Sequence, residues 1–81
     1  MSDLTNAIVN LQEDLNSAQM MMESDNESLK SRSKAYAEDA VRRFNERFGE
    51  GSATLRVELS RIRCSINVGK TKKELSARSF D

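Results

Sequence analysis

Between residues 54 and 69 the large apolar side chains change parity. Leu55, Val57 and Leu59 are odd-numbered, whereas Ile62, Cys64, Ile66 and Val68 are even. One strand cannot do this and keep a single apolar face, because successive side chains point to opposite faces. Two strands joined by a tight turn can. With Ser60-Arg61 as a two-residue turn, Leu59 opposes Ile62, Val57 opposes Cys64, Leu55 opposes Ile66 and Ala53 opposes Val68, all on one face. The other face then sets Glu58 against Arg63, a cross-strand charge pair worth roughly 0.2–1 kcal/mol. Ser-Arg is a poor turn, since tight hairpins prefer Asn-Gly or Asp-Gly. The same residues also fit a helix over 53–68, with Leu55, Leu59, Ile62 and Ile66 as its seam, Ser52 as cap and Gly69 as stop. The β-branched residues Thr54, Val57, Ile62, Ile66 and Val68 favour strands. The expectation is a β-hairpin, 53–59 and 62–68, whose apolar face needs a cover.

The cover lies upstream. Leu4, Ile8, Leu11, Leu15, Ala18 and Met22 are spaced 4, 3, 4, 3, 4, an unbroken a/d seam that predicts a helix over 3–23 with Ser2 or Asp3 as its cap. From 23 to 34 Leu29 is the only large apolar residue, and Ser24 with Glu27 matches a capping box. The helix either continues through this solvated stretch or breaks at 24–26; no Pro or Gly forces the break. Periodicity returns with Ala37, Ala40, Val41, Phe44 and Phe48, and Gly49 supplies a stop, so a second helical segment spans 27–48. Its 37/41/44/48 face suits the hairpin. The segment 70–81 is a basic tail in which Thr71 and Glu74, followed by Leu75 and Phe80, suggest a short helix. The fold class is α+β in one small domain: an amphipathic helix or helical hairpin over 3–48, then the β-hairpin, then the tail. The alternative is an all-α coiled coil.

Size and composition narrow the function. A chain of 81 residues hides only about 60–65% of its unfolded surface, so its stability is marginal. Its aromatics are Tyr36, Phe44, Phe48 and Phe80, and the core must be aliphatic. With one cysteine and no histidine it has no internal disulfide and no Cys/His metal set. Such chains gain stability by oligomerising or docking. The opening Met1-Ser2-Asp3-Leu4 is not a signal peptide, and no apolar run approaches the roughly 20 residues of a membrane span. The expected setting is soluble, reducing and intracellular: cytoplasmic, and host cytoplasm if the gene is phage-borne, as many small free-standing chains are.

No motif supports catalysis. Gly69-Lys70-Thr71 resembles the end of a phosphate-binding loop, but Cys64 stands where the motif needs another glycine. Cys64 falls on the inward hairpin face and reads as a buried small hydrophobe. The acids of residues 23–28 lack calcium-loop spacing. Glu13-Asp14 and Glu38-Asp39 are adjacent on helices and point apart, whereas acid–base chemistry needs convergence. The reading is no enzyme, no cofactor, no metal and no small-molecule substrate.

What remains is surface. Residues 1–29 carry six acids and no Lys or Arg, while 30–48 and 49–81 each carry an excess of three bases. Such sorting steers an acidic head toward a basic body, within or between chains. The seam Leu4, Ile8, Leu11, Leu15, Ala18 and Met22 exceeds what a hairpin and one helix can shelter. It is expected to meet a second copy, giving a homo-oligomer, a dimer in the simplest case. The acidic residues Asp3, Glu13, Asp14, Glu23, Asp25 and Glu27 form a docking face for a protein partner, and Met20 and Met21 widen the apolar surface. The functional expectation is therefore a non-enzymatic interaction module: an adaptor, inhibitor or structural subunit. The alternative is a nucleic-acid-binding regulator using Arg56, Arg61, Arg63, Lys70, Lys72 and Lys73 as a basic ribbon and tail.

Overall fold

The computed structural model describes residues 3–78. Two helices, α1 (Asp3–Glu23) and α2 (Glu27–Phe48), precede three strands, β1 (Ala53–Glu58), β2 (Arg61–Val68) and β3 (Thr71–Ser76). The fold is α+β: a helical hairpin on one face of an antiparallel sheet in the order β1-β2-β3. Ser2 as a cap and Phe80 in a terminal helix lie outside the described residues. The all-α alternative does not hold, because the β-branched segment pairs as strands.

The helix breaks at 24–26, and a polar side chain makes the break. The Asn26 side chain accepts from the backbone N–H groups of Ser28 (2.9 Å) and Leu29 (3.4 Å), while Ser24 Oγ accepts from Asn26 N–H (3.0 Å). Asn26, rather than a Ser24/Glu27 box, is the N-cap of α2. Gly49 closes α2 at φ 106°, a conformation that a β-carbon disfavours, and its N–H donates to the Asn45 carbonyl (2.7 Å). Between the helices, Arg43 approaches Asp14 (3.8 Å) and Arg47 approaches Asp3 (3.6 Å). The acidic head thus meets the basic body within one chain, through exposed pairs worth about 0–1 kcal/mol each.

The strand register differs from the expected one by two residues. Leu55 pairs with Cys64, Val57 with Ile62 and Ala53 with Ile66, so the turn is Leu59-Ser60 rather than Ser60-Arg61. A two-residue shift keeps every side chain on its face, so hydrophobic parity alone could not choose between the registers. Leu59 and Ser60 both take positive φ, 51° and 64°, as a type I′ turn requires. The shift places Arg56 directly opposite Arg63. Their repulsion is offset by carboxylates: Arg56 pairs with Glu74, and both Arg56 and Arg63 lie 3.7 Å from Glu58.

Residues 71–76, expected in a tail or short helix, form β3 instead. Gly69 at φ 58°, followed by Lys70 at negative φ, supplies the type II′ order of a second two-residue turn. This third strand also corrects the expectation for the α1 seam. Leu75 and Ala77 add to the roof over α1, and Ile8, Leu11, Leu15 and Ala18 are buried with Ala37, Val41, Phe44, Ile62 and Ile66 in one core. Leu15 has no exposed surface, and Leu4 and Met22 are partly buried against the same cluster. The seam is sheltered by its own chain, because the segment read as a tail is part of the cover.

Candidate interaction site

The hydrogen-bond phase of the sheet determines which backbone groups remain open. In an antiparallel pair, alternate residues exchange bonds with the partner strand and the others turn away. The Asn67 N–H donates to the Ser52 carbonyl (2.7 Å), so Thr54, Arg56 and Glu58 bond toward β2. Ala53, Leu55 and Val57 therefore aim N–H and C=O at the free edge. Ala53 is capped by α2: its N–H donates to Asn45 Oδ1 (2.8 Å), and Asn45 Nδ2 donates to its carbonyl (3.1 Å). Among the described residues, Leu55 and Val57 have no such cap.

The opposite edge is treated differently. Gln12 Nε2 donates to the Ser76 carbonyl (3.0 Å), and the Arg78 N–H donates to Asn16 Oδ1 (2.8 Å). The uncapped stretch of β3 carries Lys72, Lys73 and Glu74, charges that discourage strand addition. Beside the open stretch of β1 lies a groove of about 620 Å³, floored by Val41, Leu55 and Val57 and walled by Lys34, Glu38, Arg42 and Glu46 of α2. Glu50 and Asn45 close one end. Val57 is 48% exposed there.

Next to this edge is the Leu59-Ser60 turn, held from above by a buried amide. Gln19 Nε2 donates to the Ser60 carbonyl (2.9 Å) and to Glu23 Oε2 (2.9 Å), and the Ile62 N–H donates to Gln19 Oε1 (2.9 Å). Gln19 is 1% exposed. Leu59 projects entirely into solvent, at 102% relative exposure.

The residues singled out by sequence are scattered. Of the acidic set, Asp3 and Asp14 face α2, Glu23 ends α1, Asp25 lies in the inter-helix turn and Glu27 opens α2, 4.0 Å from Lys30. Together with Glu13 they do not make one docking face, since their spacing distributes them around and between the helices. Of the basic set, Arg56, Arg61, Arg63 and Lys72 share the outer sheet face, Lys70 sits in the β2–β3 turn, and Lys73 faces the helix side beside Leu4 and Ile8. Arg61 also donates to the Ala77 carbonyl (3.3 Å). Met20 is exposed. Cys64 is fully buried, and burial pushes its thiol up to about 11, against smaller opposing effects of the Thr54 backbone and Arg56. It holds its proton at neutral pH. Among the described residues, no group of His, Cys, Asp or Glu side chains could hold a metal ion. Nor is any helix among them long and apolar enough to cross a membrane.

The residues that sequence reading passed over are amides: Gln12, Asn16, Gln19 and Asn45. They lie off the apolar seams, and an amide on a helix flank carries no periodic signal. Comparison of the chain with models of known families, with curated proteins and with solved structures gives no match.

Proposed function

We propose that this chain is a non-enzymatic protein-docking module whose contact region is the β1 edge and the Leu59 turn. One observation carries the reading. Leu59 departs from two folding preferences at once: it is a large apolar residue in full solvent contact, and it holds a left-handed conformation that costs a non-glycine residue about 1–2 kcal/mol. A turn under stability selection alone would read Asn-Gly. Strain of this kind concentrates at sites of recognition. The α1 seam is enclosed by its own chain, so self-association through residues 4–22 would require α1 to leave the core; docking through β1 requires no such opening. The test is affinity capture from the native host with wild-type protein and Leu59→Asn. A protein retained by the wild type and lost by the better-folding variant supports the reading. Equal retention by both refutes it.

The uncovered outer face of the sheet favours a second reading, nucleic-acid binding. It presents Arg56, Arg61, Arg63 and Lys72 against Glu58 and Glu74. The salt bridges to glutamate reduce the field of Arg56 and Arg63. Binding to duplex DNA or to RNA that weakens steeply with salt, and is abolished by Arg61→Ala with Lys72→Ala, would establish this reading in place of the first.

A further inference from the structure

The sheet is one strand narrower than the helical layer above it. Strands lie about 4.8 Å apart and packed helices about 8–10 Å apart. Since α1 packs on β2 and β3 and α2 packs chiefly on β1, at the margin of the sheet, these spacings carry α2 past the β1 edge. The groove between α2 and the β1 edge is the space such a strand would fill. The backbone groups that would hold it, on Leu55 and Val57, are open, whereas those of Ala53 are closed by Asn45.

From this we infer that β1 accepts an extended segment of a partner protein as a fourth, antiparallel strand. This rests on the docking reading above and names the form of the partner. A second copy pairing β1 to β1 does not fit. It would bring the two α2 helices, which both reach past the shared edge, closer together than the roughly 8–10 Å that packed helices need.

The groove also specifies the segment's chemistry. Lys34 stands at the Val57 end and Glu46 and Glu50 at the Ala53 end, about 18 Å from Lys34 to Glu46 along the helix. The side chains of Lys34, Glu38 and Glu50 make no ion pair or hydrogen bond among the described residues. Residues of an added strand that face Leu55 and Val57 point toward α2, above apolar Val41. An antiparallel strand therefore carries, at alternate positions, an acidic residue beside Lys34, two β-branched residues facing Val57 and Leu55, and a basic residue beside Glu46 and Glu50. Seven residues span the distance. Main-chain bonds supply affinity and the alternate side chains supply selectivity.

The probe is a fluorescent, end-blocked peptide, Glu-Thr-Val-Thr-Val-Thr-Lys, titrated into the full chain. Three results are expected together. Methylating both valine amides weakens binding at least tenfold. Peptide slows amide exchange at Leu55 and Val57 but not along β3. Lys34→Glu weakens binding, and a peptide whose first residue is changed from Glu to Lys, with its last Lys kept, restores it to that variant. Val57→Pro, which removes only an edge N–H and is tolerated on an edge strand, abolishes binding; Lys34→Glu carries the test if that variant misfolds. Absence of binding up to millimolar peptide, indifference to methylation, or protection at β3 overturns the assignment. If a host protein is still captured through Leu59 in that event, only the edge assignment falls; if none is, the docking reading falls with it.

Discussion

Replacing Gln19 by Leu keeps the bulk of a buried side chain and removes three hydrogen bonds. The Ser60 carbonyl and the Glu23 carboxylate belong to exposed residues and recover water as a partner. The Ile62 N–H does not, since Ile62 is 1% exposed and its donor meets only Gln19 Oε1. An orphaned buried donor costs about 1–3 kcal/mol, and each lost net bond adds up to about 1. The expected loss is about 2–4 kcal/mol. Against the roughly 4–12 kcal/mol of a domain this size, that is about a sixth of the total at the least. Urea denaturation reads it as a lower midpoint at unchanged slope, and the melting temperature falls by at least about 8 °C. Amide exchange at Ile62 should accelerate more than at Ile66. Gln19→Glu retains the acceptor for Ile62 but sets a carboxylate against the Ser60 carbonyl and Glu23. Relative to wild type, that variant should recover stability on acidification, because the protonated acid can donate as the amide did. A Leu variant within 0.5 kcal/mol of wild type, with Ile62 exchange unchanged, would show that the amide does not hold the turn.

The strained turn gives an opposite expectation: Leu59→Asn with Ser60→Gly should raise stability by about 1–2 kcal/mol in thermal or urea unfolding, and a loss would contradict the left-handed turn. Leu15→Ala opens a cavity at the centre of the core and should cost about 2–5 kcal/mol, measured by urea unfolding. For Cys64, both states keep the thiol proton below pH about 9; above it the unfolded chain ionises while the folded thiol holds on to about 11. Stability therefore falls across pH 9–11, by about 2–3 kcal/mol in total, and Cys64→Ala should lack that component of the alkaline slope. For the same reason, labelling of Cys64 by a thiol reagent at pH 8 should be limited by opening of the core.

The sequence makes the helices legible because a 3.6-residue period extends over many turns. The seam from Leu4 to Met22 and the face from Ala37 to Phe48 both lie where the periodicity places them. The inward parity of Ile62, Cys64 and Ile66 is equally clear, as a period of two is exact. Register is not, because a shift of two leaves every face unchanged and is resolved by the backbone bonds that Gln19 makes across more than forty residues of chain. Residues 71–76 mislead for a related reason: Thr71 and Glu74 suit a helix start, but the Gly69 turn folds the chain back and pairing against β2 overrides the local preference. The expectation of an unsheltered seam follows from that one segment, because as a strand it brings Leu75 into the cover over α1. The candidate site was less accessible still, since its markers are uncapped N–H groups and a half-filled layer, properties of tertiary arrangement rather than composition.

The two sheet edges, compared, argue that the open one is functional rather than incidental. Both are reached by helix-borne amides at one end, Asn45 on β1 and Gln12 with Asn16 on β3, so the chain has the means to close an edge. On β3 the remainder is guarded by Lys72, Lys73 and Glu74. On β1 the corresponding stretch offers Leu55 and a half-exposed Val57 to a groove and leads directly into Leu59. An undefended edge of this composition is an aggregation hazard in a monomer. Its persistence next to a strained, fully exposed leucine is intelligible if a particular extended segment normally occupies it. The cost in stability and solubility then falls on the free chain and is relieved in the complex.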